Sequence, residues 1–312
     1  MKKIIKKLLK PYAAPLNYRL SVIENYIEQS RILTAKLLIK DIHNTQRYPR
    51  KLSDIGFKVF SQWDEDGIIQ FLIAKVPIEN NIFIEFGIED YRESNTRFLL
   101  MNNNWRGLIM DSDPANIKKI QSSEIYWRHD LSAVQAFVTR QNINRLIQTQ
   151  GMNGDIGILS IDIDGNDYWI WEAIDIVSPR IVICEYNSIF GSKEAVTIPY
   201  DENFNRLEAH FSCLYFGASL RALCILAERK GYIFVGSSID GSNAFFARHD
   251  VAKKLKPLNY KDGYVLSKAR QSKDKTGHLT YIRGDERIKL IAHLPVIDLL
   301  NNKRKLISDL TF

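Results

Sequence analysis

From about residue 80 the chain alternates short apolar runs with amphipathic stretches. NIFIEFG (81–87), RGLIM (106–110), EIYWR (124–128), DIGILSIDID (155–164) and RIVICEY (180–186) predict five strands. Helices are expected between them, over SNTRFLLMNNN, from Pro114, over LSAVQAFVTRQNINRLIQTQ and over NDYWIWEAID. Strands alternating with helices imply βαβ units and a parallel sheet whose ligand site lies at the strands' C-terminal edge. A long irregular stretch, NSIFGSKEAVTIPYDENFNRLEAHFSCLYFG, follows the fifth strand. After one more helix, GYIFVGSS and SNAFFARHD read as an antiparallel hairpin joined at IDG. The expected fold class is α/β: a doubly wound, mostly parallel seven-stranded sheet with an antiparallel last hairpin, carrying a helical N-terminal extension.

Before this body, YRLSVIENYIEQSRILTAKLLIKDI has apolar residues three and four apart and no Gly or Pro. The piece before it, KKIIKKLLK, is expected to stop at Pro11. The expected division is a basic helical extension over 1–56, a main domain over 57–250 and a basic tail over 251–312. KARQSKDKTGH in that tail is polar enough to form a flap.

Composition narrows the class. The chain has 312 residues, 45% hydrophobic and 25% charged, as expected of a globular protein. Three scattered cysteines give no disulfide framework and no CxxC metal pattern, which fits a reducing cytoplasm. No apolar run approaches the roughly 20 residues of a membrane span. The net charge of +7 conceals a division: 1–60 carries about +9, 61–250 about −10 and 251–312 about +8. An acidic middle is a poor nucleic-acid groove. The basic N-terminus allows weak peripheral contact with an anionic membrane, although KKIIKKLLK alone is short for that. The helical extension could also serve a homo-oligomer.

The chemistry lies at the strand ends. Glu85, Asp111, Asp130, Asp162 with Asp164, and Glu185 each stand at or just after an expected strand. Asp162 and Asp164 alternate on one strand, so their side chains converge and need an offsetting cation or donor. An acid about 25 residues after the first Gly turn is placed to accept from a ribose diol, and one after strand three to meet an adenine amino group. A cationic nucleoside fits such a pocket, which points to S-adenosylmethionine. The first turn, FGIEDYRES, has one Gly and no GxGxxG, which argues against a dinucleotide.

These residues resemble the class I S-adenosylmethionine-dependent methyltransferases, and among them the FkbM-like group. The resemblance rests on FSQWDEDG (60–67), FIEFGIEDYRESNTRFLL (83–100), WRGLIMDSD (105–113), WRHDLSA (127–133), ILSIDIDGND (158–167), PRIVICEYNSIFG (179–191) and the stretch 215–250. It implies cofactor binding by Glu85, Gly87, Glu89 and Asn95, by Asp111 at the ribose, by Asp130 near adenine, and by Asp162. Gln62 is expected to back the methionine end, with Asp66 as either a backing residue or a helix cap. Ile88 and Tyr91 depart from the pattern, standing where small residues are common. The implied activity is O-methylation of a small-molecule or glycan acceptor, such as a sugar or polysaccharide hydroxyl.

For such a transfer, Asp164 and Glu185 are the candidate catalytic acids, with His210 as base. Asp164, Glu185 and Asn187 form an all-oxygen set suited to Mg²⁺. Tyr200, Asp201 and Tyr215 share the long loop and could orient an acceptor, whereas Trp169 and Trp171 are expected to pack. Two other readings stand beside this one: a metal-dependent glycosyltransferase using Asp-x-Asp, and a non-catalytic binding module of the same fold.

Overall fold

The computed structural model describes residues 2–44 and 48–311, with side chains from Pro15 onward except Asn17. The chain divides into two compact units, Met1–Arg47 and Tyr48–Phe312. The first is one helix, Lys2–Asn44. It does not stop at Pro11, as the sequence predicts, nor at Pro15. A proline removes one backbone hydrogen bond and crowds the preceding turn, but it can sit inside a helix when good helical sequence continues on both sides. Leu16, Leu20, Ile23 and Ile27, at spacings of four, three and four, are all exposed on this helix.

The second unit is built on a seven-stranded sheet. Its strands are β1 (Ile82–Phe86), β2 (Arg106–Asp111), β3 (Leu131–Gln135), β4 (Gly154–Ile161), β5 (Val177–Glu185), β7 (Tyr232–Ser237) and β8 (Asn243–Arg248). The spatial order is β3-β2-β1-β4-β5-β8-β7. β1 to β5 pair in parallel, and β8 runs antiparallel to both neighbours. This is the doubly wound, mostly parallel sheet that the pattern predicts. Central strands read as unbroken apolar runs because helices cover both faces. Ile84, Met110, Leu159, Ile161 and Val182 are fully buried in one core, with Trp171 packed on Phe246 at 4.9 Å between ring centroids.

Strand three differs from its predicted place. EIYWR is a helix, Glu124–Arg128, and the strand is LSAVQ. The stretch expected as one long helix thus begins as a strand and becomes helical at Ile143–Thr149. β3 is an edge strand with a half-exposed alternation, so it lacks the apolar run of its neighbours.

The tail packs down as a small second sheet. β6 (Val196–Thr197), from the loop after β5, pairs with β9 (Pro295–Asp298), which pairs with β10 (Lys303–Leu306). Among the described residues no helix is long and apolar enough to cross a membrane.

Candidate active site

The sheet order reverses between β1 and β4, and a crevice opens there at the C-terminal ends. Phe86 pairs with Ile161, so Gly87 and Asp162 leave the sheet side by side. A Cβ at Gly87 would lie 1.5 Å from the Asp162 carbonyl oxygen, and its φ is +72°. Only glycine fits, which explains the single Gly of the first turn. A cavity of about 470 Å³ sits over this point, lined among others by Glu85, Glu89, Asp111, Asp162, Asp164 and Glu185.

Glu85 organises the first wall. Its buried carboxylate accepts from the hydroxyls of Ser94 and Thr96, from Asn95 N at 2.9 Å and from Thr96 N at 3.2 Å. Burial raises its pKa, against the pull of those bonds. Asn95 then reaches Ser160 Oγ at 3.1 Å and also lines the cavity. Ile88 and Tyr91 do not narrow the cavity. Both are 2% exposed and turn into the protein, with Tyr91 OH 3.0 Å from Thr96 Oγ1. The turn achieves this with positive φ at Glu89 and Tyr91. Asp111 Oδ2 accepts from Glu89 N at 2.9 Å and Oδ1 from Asp113 N at 2.8 Å. Gln62 stands exposed at the rim. Asp66 lies outside the cavity lining: its Oδ2 takes the N–H groups of Val59, Phe60 and Ser61, a structural knot.

The floor is strongly acidic. Burial pushes the Asp162 carboxyl well above the carboxylate range, and repulsion from Asp164 and Asp167 adds to that. Asp167, fully buried, accepts from Ile163 N and Gly165 N and is raised to about 6, burial again leading. Glu185 is raised by burial and then by Asp162, with Arg206 opposing. Its Oε2 is buried without a partner. The cation that the converging aspartates require comes from the chain itself. Arg206, on the short helix Arg206–Ala209 of the loop after β5, pairs with Asp164 and lies 4.0 Å from Glu185 Oε1. Its Nε donates to Cys213 O, and its guanidinium lies 3.7 Å from the Phe216 ring centroid.

This arrangement bears on the expected Mg²⁺ site. One oxygen each of Asp162, Asp164 and Glu185 lie within 4.8 Å of one another, a spacing a cation suits. Arg206 already supplies that cation. Asn187 is held by the backbone: its Oδ1 accepts from Ile189 N, and its Nδ2 donates to Leu214 O and Phe216 O. The residues do not fit a resident Mg²⁺ while Arg206 is in place. Arg206→Met should expose the three carboxylates and create Mn²⁺ binding, read by the loss of free Mn²⁺ signal in electron paramagnetic resonance. The parent should leave that signal unchanged; Mn²⁺ bound equally by both would contradict the assignment.

Other expected residues fall elsewhere. Asp130 precedes β3 and so lies at the opposite edge of the sheet, exposed, 3.9 Å from Arg106. The cavity wall after β3 is Ala136, Phe137 and Val138 instead. His210 is outside the lining. Its Nδ1 is 2.7 Å from Ser212 Oγ, and burial, then His293 and Lys275, lower its pKa. Tyr200 bonds Gln141, Asp201 caps the turn at Asn203, and Tyr215 bonds Pro295 O; none lines the cavity. Trp171 is core, and Trp169 donates to Ile198 O. Arg206 and Arg287 line the cavity and belong to no sequence motif.

No known family model matches the chain, and no curated protein does. Solved structures do resemble it. The N-terminal domain of EvdMO1 with SAH bound is 11% identical, covers 62% of this chain and 90% of its own, and has a TM-score of 0.41. An S-adenosylmethionine-dependent methyltransferase from Clostridium acetobutylicum is 7% identical, over 59% and 90%, with a TM-score of 0.36. A SAM-dependent methyltransferase from Aquifex aeolicus is 7% identical, over 57% and 88%, with a TM-score of 0.34. Values this low leave the reading of the site to its own geometry.

Proposed function

We propose that the cavity binds S-adenosylmethionine and that the protein methylates a hydroxyl of a sugar or another small natural-product acceptor. The observation that carries this reading is the row of carboxyl groups Glu85, Asp111, Asp162 and Glu185 along one cavity at the switch point of the sheet. An acidic crevice suits a ligand with two cationic groups and a ribose diol. When bound, that cofactor supplies an electrophilic methyl group on sulfur.

The chain's own residues divide the remaining work. Gly87 lets the first turn approach β4 closely. Glu85 fixes the loop through Ser94, Asn95 and Thr96. Asp111, which lines the cavity, is held by Glu89 N on Oδ2 and by Asp113 N and Asn116 Nδ2 on Oδ1, which leaves Oδ2 a lone pair for the ribose. Arg206 offsets the charge of Asp164 and Glu185, and Glu185, which lines the cavity and whose Oε2 has no hydrogen-bond partner, serves as proton acceptor for the acceptor hydroxyl. The Asp-x-Asp glycosyltransferase reading needs both aspartates for a metal, and one of them, Asp164, is paired with Arg206.

Asp111→Ala should weaken binding of S-adenosylhomocysteine by roughly 10- to 100-fold, the loss of hydrogen bonds to a charged group. Tryptophan fluorescence titration can follow it, because Trp63 lines the cavity half-exposed. Equal affinity in the variant would remove Asp111 from the ribose.

A further inference from the structure

The cavity holds a second guanidinium that no carboxylate among the described residues pairs with. Arg287, on the helix Asp285–Ile291 of the C-terminal region, is 5% exposed and lines the cavity. Its Nε is buried with no partner. Its one hydrogen bond is a long one, from Nη1 to Ala269 O at 3.4 Å, and it forms no ion pair among the described residues. The contrast with Arg206, paired to Asp164 and Glu185 in the same cavity, is direct. Burial lowers the Arg287 pKa, with Tyr264 opposing. A guanidinium remains charged in a protein, so burying it unpaired is costly and needs a reason.

Its surroundings supply one. Arg287 lies beside the segment that closes the side of the cavity after β5. There Tyr264 OH donates to Ser188 O at 2.6 Å, and Ser267 N donates to Ser188 Oγ at 2.9 Å. Ser188, Ser267, Ala269 and Gln271 line the cavity too, and Ser188 follows β5, three strands along the sheet from Asp111 at the end of β2. The acids of the floor repel an anion at the cofactor end, whereas this end presents the Arg287 guanidinium and the Ser188 and Ser267 side chains. The Nε edge of arginine matches two oxygens of one oxyanion.

We propose that Arg287 is an oxyanion-binding residue, and that the molecule it receives carries a carboxylate, sulfate or phosphate group. That this molecule is the methyl acceptor rests on the function proposed above; the anion site does not. An acidic sugar or a sulfated or phosphorylated glycan unit meets both conditions.

The test uses the full chain without cofactor, so it is independent of S-adenosylmethionine binding. Thermal unfolding is measured with sulfate, phosphate, glucuronate and neutral glucose, at ionic strength matched with chloride. The parent should be stabilised by glucuronate or by the tetrahedral anions, and not by glucose. The class with the larger shift identifies the oxyanion. Arg287→Met should lose that shift, with at least about tenfold weaker binding, yet unfold no lower than the parent when no ligand is present, because an unpaired buried charge has been removed. Arg287→Lys, which keeps the charge without the fork, should respond only weakly and stands in if the methionine variant does not fold. Equal anion shifts in parent and variants would overturn the proposal. So would a parent that no anion stabilises.

Discussion

Glu85→Ala is expected to lower the stability of the Tyr48–Phe312 unit by about 3–5 kcal/mol and to abolish cofactor binding, because the buried donors that share this carboxylate lose their acceptor. The Ser94 and Thr96 hydroxyls and the Asn95 and Thr96 N–H groups converge on its two oxygens. Glu85 itself is 4% exposed, so water does not replace it. The same bonds shape the turn from Gly87 to Thr96 that forms a wall of the cavity. Glu85→Gln keeps one acceptor oxygen and should cost less than half as much. Urea denaturation with matched slopes reads both effects. A parent-like midpoint for the alanine variant would show that the loop is held by something else.

Glu185→Gln should leave cofactor affinity near the parent value and lower the rate of methyl transfer by roughly 10²–10⁴-fold, the usual contribution of a positioned base. Burial, and then the charge of Asp162, raise the Glu185 pKa. A raised pKa means that the base is protonated well above the ordinary carboxylate range. The transfer rate should therefore rise with pH along an acid limb above about 4.3, and that limb should vanish in the glutamine variant. Linkage runs the other way for stability. The folded chain holds a proton that the unfolded chain releases, so this carboxyl's contribution falls as pH rises through the folded value. A variant that transfers methyl at the parent rate would pass the role to another group in the cavity.

The strands legible in the sequence were those with both faces covered. β1, β2, β4 and β5 are continuous apolar runs, and the acid or glycine ending each one marks the site edge. β3 failed for a physical reason: at the sheet edge its alternate residues are only partly buried, so LSAVQ blends into the helical pattern after it. The error carried Asp130 to the wrong end of the sheet. The bulk of Ile88 and Tyr91 suggested a crowded cofactor turn, but positive φ at two non-glycine positions turns both side chains into the core.

The two arginines could not be read locally. Arg206 comes from the long loop and Arg287 from the tail, and each meets the strand ends only through tertiary packing. For Arg206 there was an indirect signal, the need for a charge to offset Asp162 and Asp164. For Arg287 there was none, since an arginine in a basic tail reads as surface charge. Its burial without a counter-ion is visible only in three dimensions.

Isothermal calorimetry with S-adenosylhomocysteine tests the central claim most directly, with a UDP-sugar plus Mn²⁺ as the comparison. The account predicts one-to-one binding of S-adenosylhomocysteine by the folded parent, undiminished by EDTA, and no heat from the UDP-sugar. A folded parent that ignores S-adenosylhomocysteine, or that binds the UDP-sugar in a Mn²⁺-dependent way, would contradict it.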